Sequence, residues 1–500
     1  MNNSPYQQLE QEWRRMHAFR GALALLRWDA AVMMPRGSAE VRAEQLAALE
    51  SELHALLTAP KITRLLERAR AGSESLEGWQ QANLREMQRQ RDHAIAVPGS
   101  LISRLAKAAA LAESQWAAAR RDNDFSLFAP HLQGLLQLVR DKAALLGQAL
   151  SLSPYDALMD EYGAGFGTAD MDALFRSLSR RLPKMIGAAL QAQGDAPLPA
   201  LGGRFPVSRQ RALVVDVMKA IGFPFDRGRL DESEHPFTEG VAGDIRVTTR
   251  FDAADPFNAL LGALHETGHA MYDLGMPQAW RDQPVGRDRG MALEESQSLL
   301  LEMIVGRSRP FVTWLQPLLV KHFSVQGAEW EVDALLQRLT RVRRGLIRVD
   351  ADELSYPLHV LHRYELEKKL IDGQLAVRDL QEAWDSSMRQ HFGLRPANLT
   401  EGCLQDVHWA LGLFGYFPSY ALGGVIAAQL WESLCAQVSD VDAQIARGEF
   451  AGVMSWLRDR VHSQGARLPV KDLVRMATGQ PLGATALLRH LERKYGAVSS

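Results

Sequence analysis

Residues 244–275 read DIRVTTRFDAADPFNALLGALHETGHAMYDLG and contain two regular patterns in succession. Apolar and polar residues alternate over Asp244–Phe251, which predicts a β-strand. Asp255 followed by Pro256 is typical of a helix N-cap and first helical position, and Gly275 is a typical stop. The segment therefore predicts a strand, a short turn and a helix of about five turns.

The predicted helix contains His265-Glu266-Thr267-Gly268-His269, an H-E-x-x-H pattern. Residues four apart lie on the same face of a helix, so both imidazoles can reach one metal ion. Glu266 can take a proton from a metal-activated water and later pass it to a leaving amine. The pattern indicates metal-assisted hydrolysis, and the alternative is a core helix whose histidines bind neighbouring polar groups.

A catalytic zinc ion needs a third protein ligand and an open position for water, and a carboxylate is a common third ligand. The next predicted helix spans Met291–Gly306 and offers Glu294, Glu295 and Glu302. Spacing alone does not choose among these three glutamates.

Two neighbouring features allow two interpretations each. Asp273, four residues after His269, could orient a metal-binding histidine or lie on the protein surface. The predicted strand Asp244–Phe251 could pair with an extended peptide along an exposed edge, or could serve only core packing.

The remainder of the chain is predominantly helical in pattern. Leu105–Arg121 is rich in alanine, and 132–139 repeats apolar residues at helical spacing. Prolines and glycines cluster at 193–208, which predicts a loop. We therefore predict a mainly α catalytic unit over residues 1–500, with a deep central cleft, a small β-sheet near the metal site and a lobe division near 193–208.

Composition excludes several classes of protein. The chain has 500 residues, of which 46% are hydrophobic and 23% charged, as is ordinary for globular proteins. A net charge of -2 with dispersed lysines and arginines predicts no nucleic-acid partner. Two cysteines, Cys403 and Cys435, cannot form a disulfide framework, and no export signal is apparent, so we expect a cytoplasmic location.

The segment Trp409–Trp431 lacks charged residues and is long enough to span a bilayer. Pro418 and four glycines would break an isolated helix exposed to lipid. We expect a buried turn between two core helices at this position, and no membrane partner.

Several separate motifs resemble those of the carboxypeptidase Taq family of zinc carboxypeptidases, over most of the chain. The matching residues are Asp244, Arg246 and Thr248 (D-x-R-x-T), His265–His269 (H-E-x-x-H), Ile347, Arg348, Ala351 and Asp352 (I-R-x-x-A-D), and Gly402, Gln405, Asp406, His408 and Trp409 (G-x-x-Q-D-x-H-W). Trp28-Asp29, Met34-Pro35 and His235-Pro236-Phe237 also look like family segments. Together these matches are more specific than the metal motif alone.

The resemblance implies a mostly helical fold with a deep cleft, removal of single residues from peptide C-termini, and a homodimer. The implied metal is Zn²⁺, with Co²⁺ as an alternative. In the family's H-E-S-Q segment the glutamate is the third zinc ligand, which carries over to Glu295 beside His265 and His269. Here the segment reads Glu294-Glu295-Ser296-Gln297, so Glu294 replaces the family's histidine.

A carboxypeptidase must bind a free carboxylate, which a guanidinium does through paired hydrogen bonds. Arg348 is the candidate substrate-binding residue because of its motif match; the alternative is an arginine on a helix surface. His408 and Tyr420 could donate hydrogen bonds to the carbonyl oxygen that becomes negative in the transition state. We interpret Arg246 and Asp352 as a buried ion pair rather than as catalytic residues.

The leading hypothesis is a zinc carboxypeptidase with Glu266, His408 and Tyr420 as catalytic residues. One alternative is a zinc oligopeptidase or dipeptidyl carboxypeptidase, which would also act on peptides. A second alternative is an inactive peptide-binding homologue, suggested by the change at Glu294.

Overall fold

Helices form most of the molecule, which confirms the predicted mainly α fold. The computed structural model describes residues 3–241 and 243–496. Before the sheet come α1 (Pro5–Val32), α2 (Ala39–Thr58), α3 (Pro60–Ala71), α4 (Gly78–Ala96), α5 (Gly99–Asp122), α6 (Phe125–Leu150), α7 (Pro154–Tyr162), α8 (Thr168–Gln193) and α9 (Val207–Ile221). After it come α10 (Asn258–Leu274), α11 (Met291–Leu299), α12 (Arg309–Phe323), α13 (Val332–Leu339), α14 (Tyr356–Ile371), α15 (Leu380–Phe392), α16 (Pro418–Gln437), α17 (Val441–Ala446), α18 (Ala451–Arg460), α19 (Val470–Thr478) and α20 (Thr485–Tyr495).

A small three-stranded sheet lies between α9 and α10 in the chain. Its strands are β1 (Gly228–Glu232), β2 (Thr238–Val241) and β3 (Asp244–Thr249), in the order β1-β3-β2. The central strand β3 runs parallel to β1 and antiparallel to β2. A Cβ atom at Gly240 would lie 2.2 Å from the backbone oxygen of Asp244, so the close β2–β3 pairing requires glycine there.

The predicted strand and helix around the H-E-x-x-H pattern are both present, with shifted ends. The strand ends at Thr249 rather than Phe251, and α10 begins at Asn258 rather than Pro256. The Asp255 carboxylate accepts a hydrogen bond from the backbone N–H of Phe257 at 2.8 Å, so Asp255 shapes a turn before the helix. Its predicted role as the N-cap is therefore wrong.

The predicted helix Met291–Gly306 is not a continuous α-helix. It is α-helical to Leu299 and π-helical over Leu300–Val305. The backbone N–H of Gly306 donates to the carbonyl oxygen of Leu301 at 2.8 Å, five residues earlier. This wider turn changes the direction of the side chains that follow Glu295.

The loop predicted at 193–208 is observed between α8 and α9, over residues 194–206. The main hydrophobic core contains buried residues from both sides of this loop, for example Leu182 and Leu213. A smaller apolar cluster, which includes Leu9 and Leu65, packs the N-terminal helices α1, α3 and α4 together. The division into lobes stays a prediction.

The uncharged segment Trp409–Trp431 contains a turn region followed by α16, which begins at Pro418. The prediction of a buried turn is therefore right only for the first part, because most of the segment is one long, largely buried helix. No single helix in the described ranges is long and apolar enough to cross a membrane. Helices α4 and α5 meet that criterion only as a pair, and they are bent by 76° relative to each other.

Candidate metal centre

Three side chains meet where α10 and α11 pack together. His265 and His269 from α10 and Glu295 from α11 each contribute one potential ligand atom, and these atoms lie within 4.8 Å of one another. The Nε2 atom of His265 is 3.7 Å from the Oε2 atom of Glu295. Two imidazoles and one carboxylate, with room for a further ligand, form a common zinc-binding set in hydrolases.

Unpaired polar atoms in this group support metal binding. Glu295 Oε2 and His269 Nδ1 are buried and have no hydrogen-bond partner among the described residues. A buried polar atom without a partner is costly, because it has lost its hydrogen bonds to water. A metal ion beside Glu295 Oε2 would remove that cost, so this donor set fits a divalent cation.

The charges around the triad also favour a cation. Burial raises the pKa of Glu295 to about 7, and the negative charge of Glu266 adds to the effect. Burial likewise raises the pKa of Glu266 and of Glu294, and acidic neighbours contribute in both cases. Several buried carboxylates thus repel one another, and a divalent cation among them would stabilise their charged forms.

Close backbone contacts bring the ligand-bearing helices together. A Cβ atom at Gly268 on α10 would lie 2.5 Å from the Cα atom of Ser298 on α11. A Cβ atom at Gly423 on α16 would lie 2.7 Å from the Cβ atom of Glu295. Because only hydrogen occupies these two positions, α10 and α16 can both approach α11 at the level of Glu295.

Glu302 holds His265 from the side opposite Glu295. Its Oε2 atom lies 3.0 Å from His265 Nδ1, and its Oε1 atom accepts a hydrogen bond from Arg307 at 2.7 Å. Burial raises the pKa of Glu302, but the hydrogen bond from His265 and the charge of Arg307 outweigh it and lower the pKa below its usual value. Glu302 therefore lies behind the first histidine rather than in the triad.

Glu294 lies near His269 but does not form a hydrogen bond with it. Its Oε1 atom is 3.6 Å from His269 Nδ1, which is beyond a normal hydrogen bond. Within the described ranges no hydrogen bond joins Asp273 to His265 or His269, so the interpretation of Asp273 as a histidine-orienting group has no support. Burial, followed by the charge of Asp288, raises the pKa of Asp273 to about 7.

Thr238 orients Glu266, a role that the sequence patterns did not predict. The Oγ1 atom of Thr238 lies 2.8 Å from Glu266 Oε2 and 2.9 Å from the backbone oxygen of Glu266. Thr238 is the first residue of β2, so the sheet reaches the metal centre through this side chain. The four residues of β2 show no alternating pattern that would have identified the strand.

Arg348 is buried within a cluster of charged groups, so it is not an arginine on a helix surface. Its Nε and Nη2 atoms lie 3.0 and 2.9 Å from Asp406 Oδ1, and its Nη1 donates to the hydroxyl of Tyr356 at 3.1 Å. Arg363 donates to the other oxygen of Asp406 at 2.6 Å. Two guanidinium groups share one carboxylate, which leaves one positive charge unmatched within this cluster.

His408 and Tyr420 lie on the same side of the molecule as Arg348. The Cζ atom of Arg348 is 5.3 Å from the centre of the Tyr420 ring, and the His408 and Tyr420 rings are 6.3 Å apart. Burial and the charge of Arg348 lower the pKa of His408 to about 4, while burial raises the pKa of Tyr420. The imidazole is therefore neutral and the phenol protonated at neutral pH, so both can donate hydrogen bonds.

The predicted ion pair between Arg246 and Asp352 is wrong. Arg246 donates to the Asp244 carboxylate with both contacts at 3.1 Å, and its guanidinium lies 4.1 Å from the centre of the Trp28 ring. Residues two apart on a strand share a face, which makes Asp244 the nearer partner. The Asp352 carboxylate accepts backbone hydrogen bonds instead, including one from Arg343 at 3.0 Å.

A helix bearing two histidines and a glutamate, packed against a second helix that supplies a carboxylate, defines the helical metallopeptidases. The whole sequence identifies the particular group. Residues 8–495 match the family model described as carboxypeptidase Taq (M32) metallopeptidase, and the chain belongs to that family. It is accordingly a metallocarboxypeptidase, a peptide hydrolase, as its sequence motifs predicted.

Relatives from other organisms resemble the chain over nearly its full length. Thermostable carboxypeptidase 1 from Thermus thermophilus is 37% identical over 500 residues, which cover 97% of this chain and 98% of the relative. The structure of Trypanosoma cruzi metallocarboxypeptidase 1 has a TM-score of 0.96 at 37% identity and covers 99% of both chains. The M32 carboxypeptidase from Deinococcus radiodurans has a TM-score of 0.94 at 35% identity, with 98% of this chain and 99% of that chain covered.

Proposed function

We propose that this metallocarboxypeptidase uses zinc to release single amino acids from free peptide C-termini. The observation that carries the proposal is the position of the buried Arg348 cluster beside the His265, His269 and Glu295 triad. Tyr420 links the two, because its ring lies 5.3 Å from the Arg348 guanidinium and its helix packs through Gly423 against Glu295. A metal-ligand set next to a buried cation suits cleavage one residue from a carboxylate end.

Glu266 acts as the general base and then as the general acid. His265, His269 and Glu295 would hold the zinc ion, whose positive charge would polarise the scissile carbonyl and activate water. Glu266 takes the proton of the attacking water and returns it to the leaving amine nitrogen. Burial is the main cause of its raised pKa, and a raised pKa makes the carboxylate a stronger base.

Arg348 binds the C-terminal carboxylate of the peptide. Asp406 and Tyr356 fix the guanidinium in one orientation, so little freedom is lost when a substrate carboxylate binds. The unmatched positive charge of the Arg348, Arg363 and Asp406 cluster favours an anionic ligand. His408 and Tyr420 donate hydrogen bonds to the carbonyl oxygen as negative charge develops on it.

A comparison of free-acid and C-terminally amidated peptides tests the specificity. Zinc-loaded and chelator-treated protein are incubated with both sets, and products are followed by mass spectrometry. We expect stepwise loss of single C-terminal residues from the free acids alone, abolished by chelation. Internal cuts or release of dipeptides would replace the proposal with an oligopeptidase or dipeptidyl carboxypeptidase. No cleavage by metal-loaded protein would indicate an inactive peptide-binding homologue.

The variant Glu266→Gln tests the assignment of the base. The amide cannot accept the proton of water, so turnover should fall by at least about a thousandfold, while the metal remains bound. Metal content is measured by elemental analysis on the same sample that is used for kinetics. Full activity in metal-loaded Glu266→Gln protein would contradict the role of Glu266.

Metal identity is proposed on the basis of the ligand set. Two imidazoles and one carboxylate suit Zn²⁺, and Co²⁺ accepts the same ligands. Elemental analysis of protein purified without added metal tests this proposal. Activity restored to chelated protein by Zn²⁺ or Co²⁺, and not by Mg²⁺, would support it.

We further propose a cytoplasmic homodimer that acts on peptides and binds neither nucleic acid nor membranes. The near-neutral net charge of -2 supports the absence of a nucleic-acid partner, and the two cysteines support a cytoplasmic location. The dimer rests on the family resemblance alone. Sedimentation measures the oligomeric state, and cell fractionation measures the location. A monomer in solution would contradict the dimer without affecting the assignment of the metal centre.

A further inference from the structure

An apolar cavity of about 40 Å³ lies next to the proposed carboxylate-binding residues and has no part in the chemistry described above. Tyr356 and Tyr420 line it on one side. The same two tyrosines contact Arg348, one through a hydrogen bond of 3.1 Å and the other through a ring 5.3 Å from its guanidinium. The cavity therefore begins where Arg348 would hold the end of a peptide.

The cavity also borders the ligand-bearing helix. Leu299 lines it and lies one helical turn after Glu295 on α11. Gly424 lines it from α16 and directly follows Gly423, the residue that abuts Glu295. A peptide held between the metal triad and Arg348 would thus have its last side chain within reach of this cavity.

Most of the wall is apolar. The contributing side chains include Leu299, Met303, Ile304, Ala427 and Leu487. The charged residue in the wall is Glu353, which already accepts hydrogen bonds from Lys494 at 2.7 Å and Tyr495 at 3.0 Å and contacts His490 at 2.7 Å. Because these partners occupy the carboxylate, a cationic side chain entering the cavity would find no free counter-charge.

From this arrangement, and resting on the proposed carboxypeptidase function, we infer that the cavity receives the C-terminal side chain of the substrate and selects uncharged aliphatic residues. Leucine or methionine at the C-terminus would bury apolar surface there, whereas alanine would leave the cavity empty. Lysine and glutamate would each lose hydration in the cavity without gaining a partner of opposite charge.

Gly424 offers a direct way to fill the cavity. A Cβ atom added at Gly424 would have no other heavy atom within 4 Å, so a larger side chain there can project into open space. Gly424→Ala and Gly424→Val therefore form a graded series of increasing volume. Gly187→Val is the matched control, because Gly187 is another half-buried glycine in a helix interior with nothing within 4 Å of an added Cβ, and it lies on α8.

The test measures kcat/KM for four peptides that differ only in a C-terminal alanine, leucine, lysine or glutamate. In the zinc-loaded wild type we expect leucine to exceed alanine by at least about tenfold, with lysine and glutamate below both. Gly424→Val should remove the preference for leucine while keeping activity on the alanine peptide within about threefold, and Gly424→Ala should fall between. Gly187→Val should keep the wild-type ratio.

The outcomes separate this inference from the proposed function on which it rests. If the wild type cleaves peptides but prefers lysine or glutamate, or if both Gly424 variants keep the wild-type ratio, the cavity assignment is wrong and the carboxypeptidase function stands. If the zinc-loaded wild type releases no C-terminal residue, both are wrong. Activity on the alanine peptide also shows whether each variant is folded. If Gly424→Val does not fold, the leucine-to-alanine ratio of Gly424→Ala alone tests the cavity assignment.

Discussion

The two candidate metal-binding histidines, His265 and His269, differ in how a neighbouring carboxylate contacts them. Glu302 lies within hydrogen-bond distance of His265, at 3.0 Å, whereas Glu294 is 3.6 Å from His269. A carboxylate bonded to the free nitrogen of a ligand histidine fixes its tautomer and orientation. The first histidine is therefore the more firmly positioned of the two.

This difference predicts unequal effects on metal affinity. Glu302→Ala should weaken zinc binding by about 10- to 100-fold, and Glu294→Ala should weaken it much less, because no hydrogen bond is lost. The dissociation constant is measured by competition with a chromophoric chelator. A larger loss in Glu294→Ala than in Glu302→Ala would show that the bound metal draws Glu294 into contact with His269.

Thr238 offers a second prediction at the residue scale. Thr238→Val keeps the shape of the side chain and removes the hydrogen bond to Glu266, which should lower kcat by about 10- to 100-fold. Thr238→Ser, which retains the hydroxyl, is the control and should stay within a few-fold of the wild type. Equal kcat values for Thr238→Val and the wild type would remove Thr238 from the site.

The sequence alone predicted the grouping of the candidate residues that depend on local spacing. His265, Glu266 and His269 could be recognised because helical periodicity places them together, and Glu295 followed from a motif. Thr238 could not be found this way, since its contact with Glu266 spans two elements. Which of Glu294, Glu295 and Glu302 completes the triad likewise depends on how two helices pack.

At the scale of elements, the contact between α10 and α11 positions the whole metal centre. The backbones meet at Gly268, where an added Cβ atom would lie 2.5 Å from Ser298 Cα. Neither partner can move aside easily, because the contact atom belongs to the backbone of α11. The separation of the histidines from Glu295 is therefore set by a glycine.

Gly268→Ala should push the two helices apart. We expect a loss of about 1 to 3 kcal/mol in the free energy of unfolding, together with weaker zinc binding. Gly187→Ala is the control, because its methyl group enters open space and should stabilise α8 slightly. Denaturant unfolding and chelator competition measure the two quantities. Unchanged metal affinity in a destabilised Gly268→Ala protein would separate helix packing from ligand geometry.

Periodicity predicted the existence of these helices more accurately than their ends. Asp255 and Pro256 resemble a helix start, yet the Asp255 side chain closes a turn and α10 begins two residues later. The π-helical segment Leu300–Val305 has an apolar pattern that also suits an α-helix. Its register depends on contacts such as that of Glu302 with His265, which no local pattern contains.

At the scale of the molecule, metal binding is linked to folding. The candidate ligands come from two helices that meet only in the folded chain, so the proposed zinc ion should bind the native state preferentially. Free zinc at 100 times its dissociation constant should add about 2.7 kcal/mol to the stability. Thermal unfolding with and without a chelator measures this as a lower Tm after chelation. His269→Ala should show little response to the chelator, and an equal response would indicate binding elsewhere.

The loop at 194–206 predicts how the chain tolerates a break. Its residues are mostly exposed, which suits proteolysis, while the main core draws on both sides of it. We expect a single cut there to leave two fragments that stay associated in size-exclusion chromatography. Separation of the fragments under native conditions would instead support two independent lobes.

The ion pair between Arg348 and Asp406 also orders events during synthesis. A ribosome makes the chain from its N-terminus, so the triad that ends at Glu295 emerges well before Asp406, which follows Arg348 by 58 residues. The nascent chain can therefore complete its metal ligands while the guanidinium still lacks the partner that orients it. The proposed carboxylate-binding site can therefore be completed only after Asp406 has been synthesised, later than the candidate metal ligands.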